Sequence, residues 1–519
     1  MERTTEHTDD PTVVIAGGGP SGLMLACELA LAGVRTIVLE RLVEPPGWSR
    51  ALGLQYGSIR ALNQRGLAAP AFEYAPVKHF GFGMLRFTGL EDHLVPRRVP
   101  QRRIEQHLEE HAIELGVDVR RGHEVVDFTQ DDSGVLVTVR TADGEYELPG
   151  AYLAGADGGA SVVRKRAGID FPGTPSVADG ITGDLRIPVD RQIRIDPSLH
   201  PSGMFALIPL DGEVVRVTVA EFGATPTSRE VPVTEEELHR QIGKVVGREF
   251  DLGTPQLLSR FGSSARQAER YREGRVILLG DAAHVHFPIG GQGLNTGLQD
   301  ALNLGWKLAA TVRGWAPEGL LDTYAVERHP VAERVLMNTR AQLALMYPLE
   351  EAEPLREVLG ELLGFEEVSR HLVHMMAGVD IRYPVAERSG IGVEPDHAGD
   401  PGAAGEVGAH PLLGERLPDA ALRTEAGETT VDEILRTGRA VLLDLSAAGA
   451  ATSATDADPL DVTGWKDRVD VVQAAPVSEL AASAVLIRPD GYAAWVRPVD
   501  VPGDAGLRRA LTGWLGLPG

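Results

Sequence analysis

A glycine-rich stretch near the start of the chain has the residue types and spacing needed to hold a dinucleotide. Residues 17–22 read GGGPSG, follow the apolar run TVVIAG and precede the helical pattern SGLMLACELALAG. Gly17 allows a tight turn, Gly19 lets the backbone approach a pyrophosphate, and Gly22 lets helix and strand pack closely. Glu40 ends the next strand pattern, VRTIVLE, where a carboxylate can bind ribose hydroxyls. This βαβ pattern predicts binding of FAD or NAD rather than NADP.

A second glycine-rich stretch has residues suited to a flat ligand that carries a sugar-like chain. It reads RVILLGDAAHVHFPIGGQGLN at 275–295, which predicts a buried strand, a loop and a helix beginning near residues 294–295. Asp281 can accept hydrogen bonds from a diol, and the glycines after it let backbone amides reach the edge of a ring. The positive end of the helix suits a ring that becomes anionic on reduction. A third stretch, ADGGASVVR at 156–164, follows a strand that we place in the same sheet.

Composition excludes several classes of protein. The chain has 519 residues and a net charge of −24, which argues against nucleic acid or an anionic membrane as a partner. The single cysteine, Cys27, cannot form an internal disulfide or a CxxC pair. His284 and His286 have no further ligand at metal spacing, so we predict no metal site. We see neither a signal peptide nor an apolar run of about 18 residues, and expect a cytoplasmic protein.

The remaining elements predict an α/β fold. Strand, helix and strand patterns alternate at the N-terminus, and helical spacing dominates from about 296 to 390. Further expected elements are an amphipathic helix at 102–116, a β-meander at 122–148, a separate sheet from 180–220 and 256–263 with a helix at 235–246, a linker at 391–413, and a third domain at about 410–519.

At the three glycine-rich stretches the sequence resembles the single-component FAD-dependent aromatic hydroxylases, the family of para-hydroxybenzoate hydroxylase and phenol hydroxylase. GGGPSG, DGGASVVR and GDAAHVHFPIGGQGLN stand in the order of that family, and the resemblance covers residues 1–390. With GERLP at 414–418 and RPDGY at 488–492, the chain is most similar to actinomycete hydroxylases that modify aromatic polyketides and rifamycin-type antibiotics.

The resemblance implies a Rossmann-like FAD-binding domain, an interleaved β-sheet substrate domain and a C-terminal thioredoxin-like domain. The FAD-binding domain would comprise 1–175 and 266–395, and the substrate domain 176–265 with a contribution from 76–100. The thioredoxin-like domain, 410–519, has no cysteine and therefore no CxxC, so a role in packing or assembly is expected. Because every flavin motif precedes residue 300, we expect the flavin site to survive removal of this domain.

The resemblance also implies which residues bind the cofactors. Arg50, in the segment SRAL, would lie near the pyrophosphate, ribityl chain or ring of FAD, and we predict a catalytic role for it; by itself it could equally be a surface residue. Gln101 would contact the ribityl or phosphate region, Asp281 the ribityl chain, and Asp157 both FAD and the nicotinamide cofactor. The full predicted cofactor-binding set is Gly17, Gly19, Pro20, Ser21, Gly22, Glu40, Arg41, Arg50, Gln101, Asp157, Asp281, Pro288, Gly290, Gly291, Gly293, Leu294 and Asn295.

The implied activity is monooxygenation. NAD(P)H would reduce FAD, molecular oxygen would give a flavin C4a-hydroperoxide, and a polycyclic aromatic substrate of the polyketide type would be hydroxylated. A Baeyer–Villiger-type oxygenation of a polyketide or antibiotic uses the same fold, and the sequence does not separate the two. A non-catalytic flavin- or drug-binding protein is a third hypothesis. The substrate, the choice of NADH or NADPH, and a possible homodimer are left open.

Overall fold

A computed structural model describes residues 11–45, 47–67, 75–77, 80–210, 212–228, 230–248, 250, 252–385, 388, 410–446, 460–499, 501, 503 and 506–519. Most of the predicted linker, 391–409, lies outside these residues. The helices are α1 Pro20–Leu31, α2 Tyr56–Asn63, α3 Gln101–Glu114, α4 Val162–Arg166, α5 Glu235–Val246, α6 Gln292–Val312, α7 Thr323–Ala344, α8 Leu349–Leu362, α9 Glu366–Ala377, α10 Val431–Ile434 and α11 Leu507–Leu515.

Strands are present in each segment predicted to contain them, whereas the short strands between residues 53 and 98 were not predicted. They are β1 Val13–Ala16, β2 Thr36–Glu40, β3 Gly53–Leu54, β4 Ala75–Pro76, β5 Gly81–Phe82, β6 Leu85–Arg86, β7 Arg97–Arg98, β8 Asp118–Arg121, β9 Glu124–Gln130, β10 Val135–Thr141, β11 Gly144–Gly150, β12 Tyr152–Gly155, β13 Gly173–Thr174, β14 Ala178–Arg186, β15 Ile195–His200, β16 Gly203–Pro209, β17 Val214–Phe222, β18 Thr254–Gly262, β19 Ala265–Gln267, β20 Arg272–Glu273, β21 Val276–Leu278, β22 His284–Val285, β23 Ala421–Thr424, β24 Gly427–Thr430, β25 Ala440–Asp444, β26 Val469–Gln473, β27 Ala482–Ile487 and β28 Ala493–Pro498.

A six-stranded sheet in the order β20-β21-β12-β1-β2-β8 forms the centre of the N-terminal half. All pairs are parallel except β20–β21 at one edge. Strands β1, β12 and β21 are buried throughout, because α1, α4 and the antiparallel strands β9 and β10 pack against this sheet, and this explains their continuous apolar runs. The predicted βαβ unit is confirmed, and the carboxyl ends of the three buried strands lie side by side at one edge.

A separate antiparallel sheet, β15-β16-β17-β14-β18, is confirmed where the alternating segments predicted it. Helix α5 covers one face and buries Leu238, Ile242 and Val245 against it. Thr234 caps this helix by accepting a hydrogen bond from the backbone N–H of Glu237. The predicted meander is also present as the antiparallel sheet β11-β10-β9. The domain boundaries themselves stay a prediction.

The C-terminal region contains a sheet in the order β26-β25-β27-β28, with β25 and β26 parallel and the other pairs antiparallel. Taken along the chain, this is the 2-1-3-4 strand order of a thioredoxin-like sheet. The region has no cysteine, because the only one, Cys27, is buried in α1. Burial raises the pKa of the Cys27 thiol, so it stays protonated and chemically inert.

The C-terminal region shares an apolar cluster and buried charged groups with the N-terminal half, while the expectation that the flavin site survives its removal stays a prediction. Trp306 of α6 belongs to the same apolar cluster as Trp465 and Trp514. Buried arginines also bond across this boundary. Arg60 forms an ion pair with Asp432, and Arg65 donates hydrogen bonds to the carbonyls of Leu435 and Pro489. Truncation near residue 400 would strip partners from buried charges, which is strongly destabilising.

The strongest cross-boundary contact is a buried cluster around Glu327 of α7. Arg488 donates to both of its carboxylate oxygens at 2.7 and 2.8 Å, and the Lys307 ammonium donates at 2.7 Å. Although burial opposes ionisation, the charges of Arg488 and Lys307 lower the pKa of Glu327 to about 2. Asp490 balances Arg488 from the other side through two further hydrogen bonds.

We expect Arg488→Lys to lower the free energy of unfolding by about 2 kcal/mol, because an ammonium cannot replace the bidentate contact with Glu327. Denaturant unfolding of the full chain measures this. The matched control is Arg423→Lys, since Arg423 pairs with Glu428 on the surface, where both side chains are over four-fifths exposed. Equal effects of the two substitutions would contradict the role given to Arg488.

Candidate functional site

The three predicted glycine-rich stretches meet at the carboxyl edge of the parallel sheet. A Cβ on Gly17 would lie 2.4 Å from the carbonyl oxygen of Ala156, so the turns after β1 and β12 touch. Ser21 in the first turn of α1 packs against two glycines, because Cβ atoms on Gly280 and Gly297 would lie 2.6 and 2.2 Å from its hydroxyl oxygen. Only glycine permits these approaches, and together they form one continuous surface.

The start of α1 has the features of an anion site. Gly19 precedes the helix without a side-chain cap, Pro20 occupies its first turn, and that turn has no acidic residue. A Cβ on Gly19 would meet nothing within 4 Å, whereas one on Gly22 would lie 2.0 Å from the carbonyl oxygen of Gly17. Gly22 is therefore needed for packing. Gly19 borders open space at a helix N-terminus, where uncapped N–H groups attract a phosphate.

Glu40, at the end of β2, is fixed beside this turn. Its carboxylate accepts hydrogen bonds from the backbone N–H of Gly18 at 2.8 Å and of Leu42 at 2.9 Å. These bonds hold the carboxylate next to the glycine turn before α1, and each carboxylate oxygen keeps a lone pair that can accept a further hydrogen bond. The neighbouring Arg41 is exposed and points away from the core.

Arg50 and Gln101 are brought together at the start of α3. The Gln101 side chain accepts from the backbone N–H of Ala51 at 3.1 Å, and its backbone N–H donates to the Ala51 carbonyl at 3.0 Å. Ser49 accepts from the N–H of Arg102 at 3.0 Å. The residues on both sides of Arg50 are therefore hydrogen-bonded to the start of α3, although the segment has no regular secondary structure.

The Arg50 side chain is exposed, and its guanidinium lies 5.9 Å from the ring centre of Trp48. The guanidinium of Arg216, which is paired with Asp184 in the antiparallel sheet, lies 6.0 Å from the same ring. Within the described part of the chain, no hydrogen bond or ion pair of the Arg50 side chain is seen. Its donors are available to a ligand at the junction of the two sheets.

Asp157, which follows β12, holds the start of α4. One carboxylate oxygen accepts from the N–H groups of Val162 and Val163 at 2.6 and 3.1 Å. The other oxygen is buried and has no hydrogen-bond partner among the described residues. The side chain thus stabilises its own loop and leaves one acceptor unused.

The loop after β21 places Asp281 in the open, opposite the start of α6. A Cβ on Gly293 would lie 3.8 Å from a carboxylate oxygen of Asp281 and 3.5 Å from Nε2 of His286. Burial lowers the pKa of His286, so the ring is neutral, and its Nδ1 bonds to the carbonyl of Phe287. Pro288 is exposed and Leu294 half-buried. Gly293 therefore leaves a gap lined by polar atoms.

Helix α6 begins at Gln292, two residues before the predicted start, because Gly291 with φ 64° is the last residue outside it. Asn295 consequently lies in the first turn with its side chain turned inward. It donates to the carbonyls of Gly53 and Gly291 and accepts from the N–H of Gln55. The Asn295 side chain therefore stabilises the loop through these three hydrogen bonds.

Two residues that hold the loop between β21 and α6 in place were not predicted, because their hydrogen-bond partners are distant in the sequence. Gln55 donates to the carbonyl of Gly290 at 2.7 Å. Asp300 of α6 accepts from His284 at 2.8 Å, from the N–H of Gly280 at 3.2 Å and from Arg328 at 2.7 Å. Despite burial, the charge of Arg328 lowers the pKa of Asp300. The only available hint was a charged residue within the apolar pattern of α6.

Taken together, these features fit FAD. One uncapped helix N-terminus faces the open side of Gly19, a second faces the Gly290–Gly291 turn, and Asp281 offers an acceptor between them. Two anion-binding helix ends and an acceptor for hydroxyl groups are the features that a pyrophosphate, a ribityl chain and a ring that accumulates negative charge require.

Comparison with protein families supports the same assignment. A family described as "FAD binding domain" matches residues 10–339, and one described as "Aromatic-ring hydroxylase, C-terminal" matches residues 410–518. The chain belongs to the FAD-dependent aromatic-ring hydroxylases. As a member of this family it is a FAD-dependent monooxygenase, and NAD(P)H is the reductant typical of the class. The predicted family, fold class and cofactors are confirmed.

Individual members of this hydroxylase family align over nearly the whole chain. The 12-dehydrotetracycline 5-monooxygenase/anhydrotetracycline 6-monooxygenase of Streptomyces rimosus is 43% identical over 98% of this chain and 99% of its own length. The dialkyldecalin synthase of Streptomyces rugosporus is 42% identical over 97% of this chain and 99% of its own length. The crystal structure of CabE, an aromatic hydroxylase from angucycline biosynthesis, has a TM-score of 0.85 at 40% identity, over 98% of this chain and 100% of CabE.

Two features are absent from the residues of this hydroxylase that the structure describes. No helix among them is both long and apolar enough to cross a bilayer. No group of three His, Cys, Asp or Glu side chains among them is arranged to hold a metal ion.

Proposed function

We propose that this hydroxylase inserts one oxygen atom from O2 into a polycyclic aromatic substrate of the polyketide type. The observation that carries the proposal is an aromatic face of the antiparallel sheet that packs against Phe287 of the loop at 287–291. Phe222 and Phe261, on the antiparallel sheet, lie 6.4 and 6.2 Å from Phe287 between ring centres, and Tyr347 lies 5.7 Å from Phe222. Flat aromatic walls favour a flat aromatic ligand through offset and edge-to-face contacts.

Flexible side chains complete this aromatic face. Met84, Met204 and Met346 belong to the same apolar cluster, together with Ile289 of the loop. Methionine adapts its shape to irregular ligands, and it suits a site for a multi-ring substrate with varied substituents. The names of the S. rimosus relative and of CabE, which specify tetracycline intermediates and angucycline biosynthesis, agree with this substrate class.

For the cofactor, we propose that Gly19 and the start of α1 hold the pyrophosphate and that Glu40 binds the adenosine ribose. Gln101 and Asp281 would bind the ribityl region, and the start of α6 would face the ring. FAD bound there supplies the redox chemistry that activates oxygen. The chain's own contribution is to orient the ring, offer hydrogen-bond donors to developing negative charge, and exclude water.

Products distinguish this proposal from its alternatives. Purified protein is incubated with tricyclic and tetracyclic phenols, NAD(P)H and isotope-labelled O2, and the products are analysed by mass spectrometry and NMR. Hydroxylation gives one labelled oxygen on an aromatic carbon, whereas Baeyer–Villiger oxygenation gives a labelled ester or lactone. A synthase of the kind named in the S. rugosporus relative gives an unlabelled isomer without NAD(P)H consumption. A binding protein gives no product, and either of these last results overturns monooxygenation.

For the reductant, we propose a cleft beside the Asp157 loop, with a volume of about 810 Å³. Its lining includes the cationic side chains Arg164, Lys165, Arg260 and Arg266 and one carboxylate, Asp170. In a chain with a net charge of −24, such a cationic cleft favours an anionic dinucleotide. The cytoplasmic location and the homodimer predicted from the sequence stay predictions.

We expect Lys165→Glu to raise the dissociation constant of NAD(P)H about tenfold, because the cleft loses a cation and gains a repulsive charge. Stopped-flow reduction of the bound flavin at varied NAD(P)H concentration measures this. The control is Arg166→Glu, since Arg166 is the next residue along the chain but does not line the proposed cleft; it lines a neighbouring groove, which Lys165 also borders. An equal rise of the NAD(P)H dissociation constant in both variants would show only a general charge effect and contradict NAD(P)H binding in this cleft.

A further inference from the structure

Three buried side-chain amides form a chain of hydrogen bonds behind the Gly290–Gly291 turn. The backbone N–H of Gly83 donates to Oε1 of Gln342 at 3.1 Å, and Nε2 of Gln342 donates to Oδ1 of Asn338 at 2.9 Å. Nδ2 of Asn338 then donates to Oε1 of Gln292 at 3.0 Å. All three side chains are at most 2% exposed, and they link the β5–β6 hairpin through α7 to the first residue of α6.

The direction of this chain is fixed by one group whose role is unambiguous. A backbone N–H can only donate, so Gln342 must accept with its oxygen and donate with its nitrogen. Asn338 must therefore accept with Oδ1 and donate with Nδ2, and Gln292 must accept with Oε1. The nitrogen of Gln292 is therefore the free end, independently of how any single amide is assigned.

The free Nε2 of Gln292 lies beside the Gly290–Gly291 turn. A Cβ on Gly290 would be 3.3 Å from Nε2 of Gln292, and this nitrogen is buried without a hydrogen-bond partner among the described residues. Gly290 and Gly291 both have left-handed backbone conformations, with φ 71° and 64°, and they lead directly into the uncapped start of α6. Aligned amide dipoles reinforce one another, so the positive end of the chain adds to that of the helix.

We propose that Asn338 is a positioning residue of the flavin site, which holds the Gln292 amide with its N–H groups towards the Gly290–Gly291 turn, where they stabilise negative charge on the reduced ring. This rests on the proposed placement of the FAD ring at the start of α6. Asn338 itself touches neither cofactor nor substrate. Its effect is electrostatic and is transmitted by the orientation of one neighbouring amide.

The test is the midpoint potential of the bound flavin in the full-length holoenzyme, measured by dye-linked reduction. We expect Asn338→Ala to lower the potential, because the Gln292 amide loses its fixed orientation. Asn338→Asp should lower it further, since a carboxylate accepts from both neighbours, turns the Gln292 oxygen towards the loop and adds negative charge. Gln292→Met removes the terminal amide and should match Asn338→Ala. The double variant Asn338→Ala with Gln292→Met should show no additional shift.

The control is Thr339→Val, because Thr339 is equally buried on α7 and bonds only to carbonyls of its own helix. Its potential should equal that of the wild type. Unchanged potentials in the Asn338 and Gln292 variants, with FAD bound and only thermal stability reduced, would reduce the amide chain to a structural role and overturn the proposal. Absence of FAD from the wild-type protein would instead overturn the proposed function on which it rests.

Discussion

Gly19→Val is expected to abolish FAD binding while the protein still folds. A Cβ at this position meets nothing within 4 Å, so the first carbon of the valine side chain clashes with no described atom of the protein. The backbone of Gly19, with φ −81° and ψ −179°, is extended and accessible to valine. The added methyl groups would occupy the space in front of the first turn of α1, where the pyrophosphate must approach the backbone. Purified protein should be colourless, with wild-type circular dichroism, and added FAD should keep the absorption and fluorescence of free flavin.

Two other glycines show whether this loss is specific. Gly22→Val should prevent folding, because its Cβ would lie 2.0 Å from the carbonyl oxygen of Gly17. Gly243→Val should keep both fold and flavin, since a Cβ there also meets nothing within 4 Å but lies on α5, away from the proposed FAD site. Full flavin occupancy in Gly19→Val would show that the pyrophosphate does not pass this position.

Sequence patterns predicted the parts of the fold whose interactions are local or periodic. The βαβ unit could be predicted because β1 is buried throughout and β2 along its first four residues, so both strands are largely apolar. The turns at Gly17 and Gly22 could be predicted because close backbone approach excludes a side chain. Likewise, alternation along β14 and β17 indicated a sheet with α5 on one face.

Interactions between distant residues could not be predicted in this way. Arg65 donates to the carbonyl of Pro489, and Arg488 pairs with Glu327, so the two halves of the chain share one buried network that no local pattern reveals. The sequence assigned Asn295 to the cofactor, which stays a prediction, but it gave no sign that the Asn295 side chain bonds to Gln55 and to the turn before α6. The missed residues are those that support the loops rather than those that border open space.

Arg50→Ala should lower turnover by on the order of a hundredfold if the guanidinium serves the flavin ring, which is the typical cost of one lost preorganised donor. The structure supports preorganisation, because the backbone on both sides is held by Gln101 and by Ser49, while the side chain lies near Trp48 with its donors free among the described residues. Folding should be unaffected, since the side chain is exposed. Steady-state turnover at saturating FAD and substrate measures the effect.

Three comparisons locate the action of Arg50. Arg50→Lys should show a smaller defect, because it keeps the charge but loses the planar pair of donors. If Arg50 instead contacts only the pyrophosphate, the affinity for FAD falls and saturating FAD restores the rate. Arg103→Ala is the control, since Arg103 is exposed on α3 close to the same corner and no role is assigned to it. Unchanged rate and unchanged FAD affinity in Arg50→Ala would make Arg50 an ordinary surface residue, and the donor to the reduced ring would then have to come from the start of α6 alone.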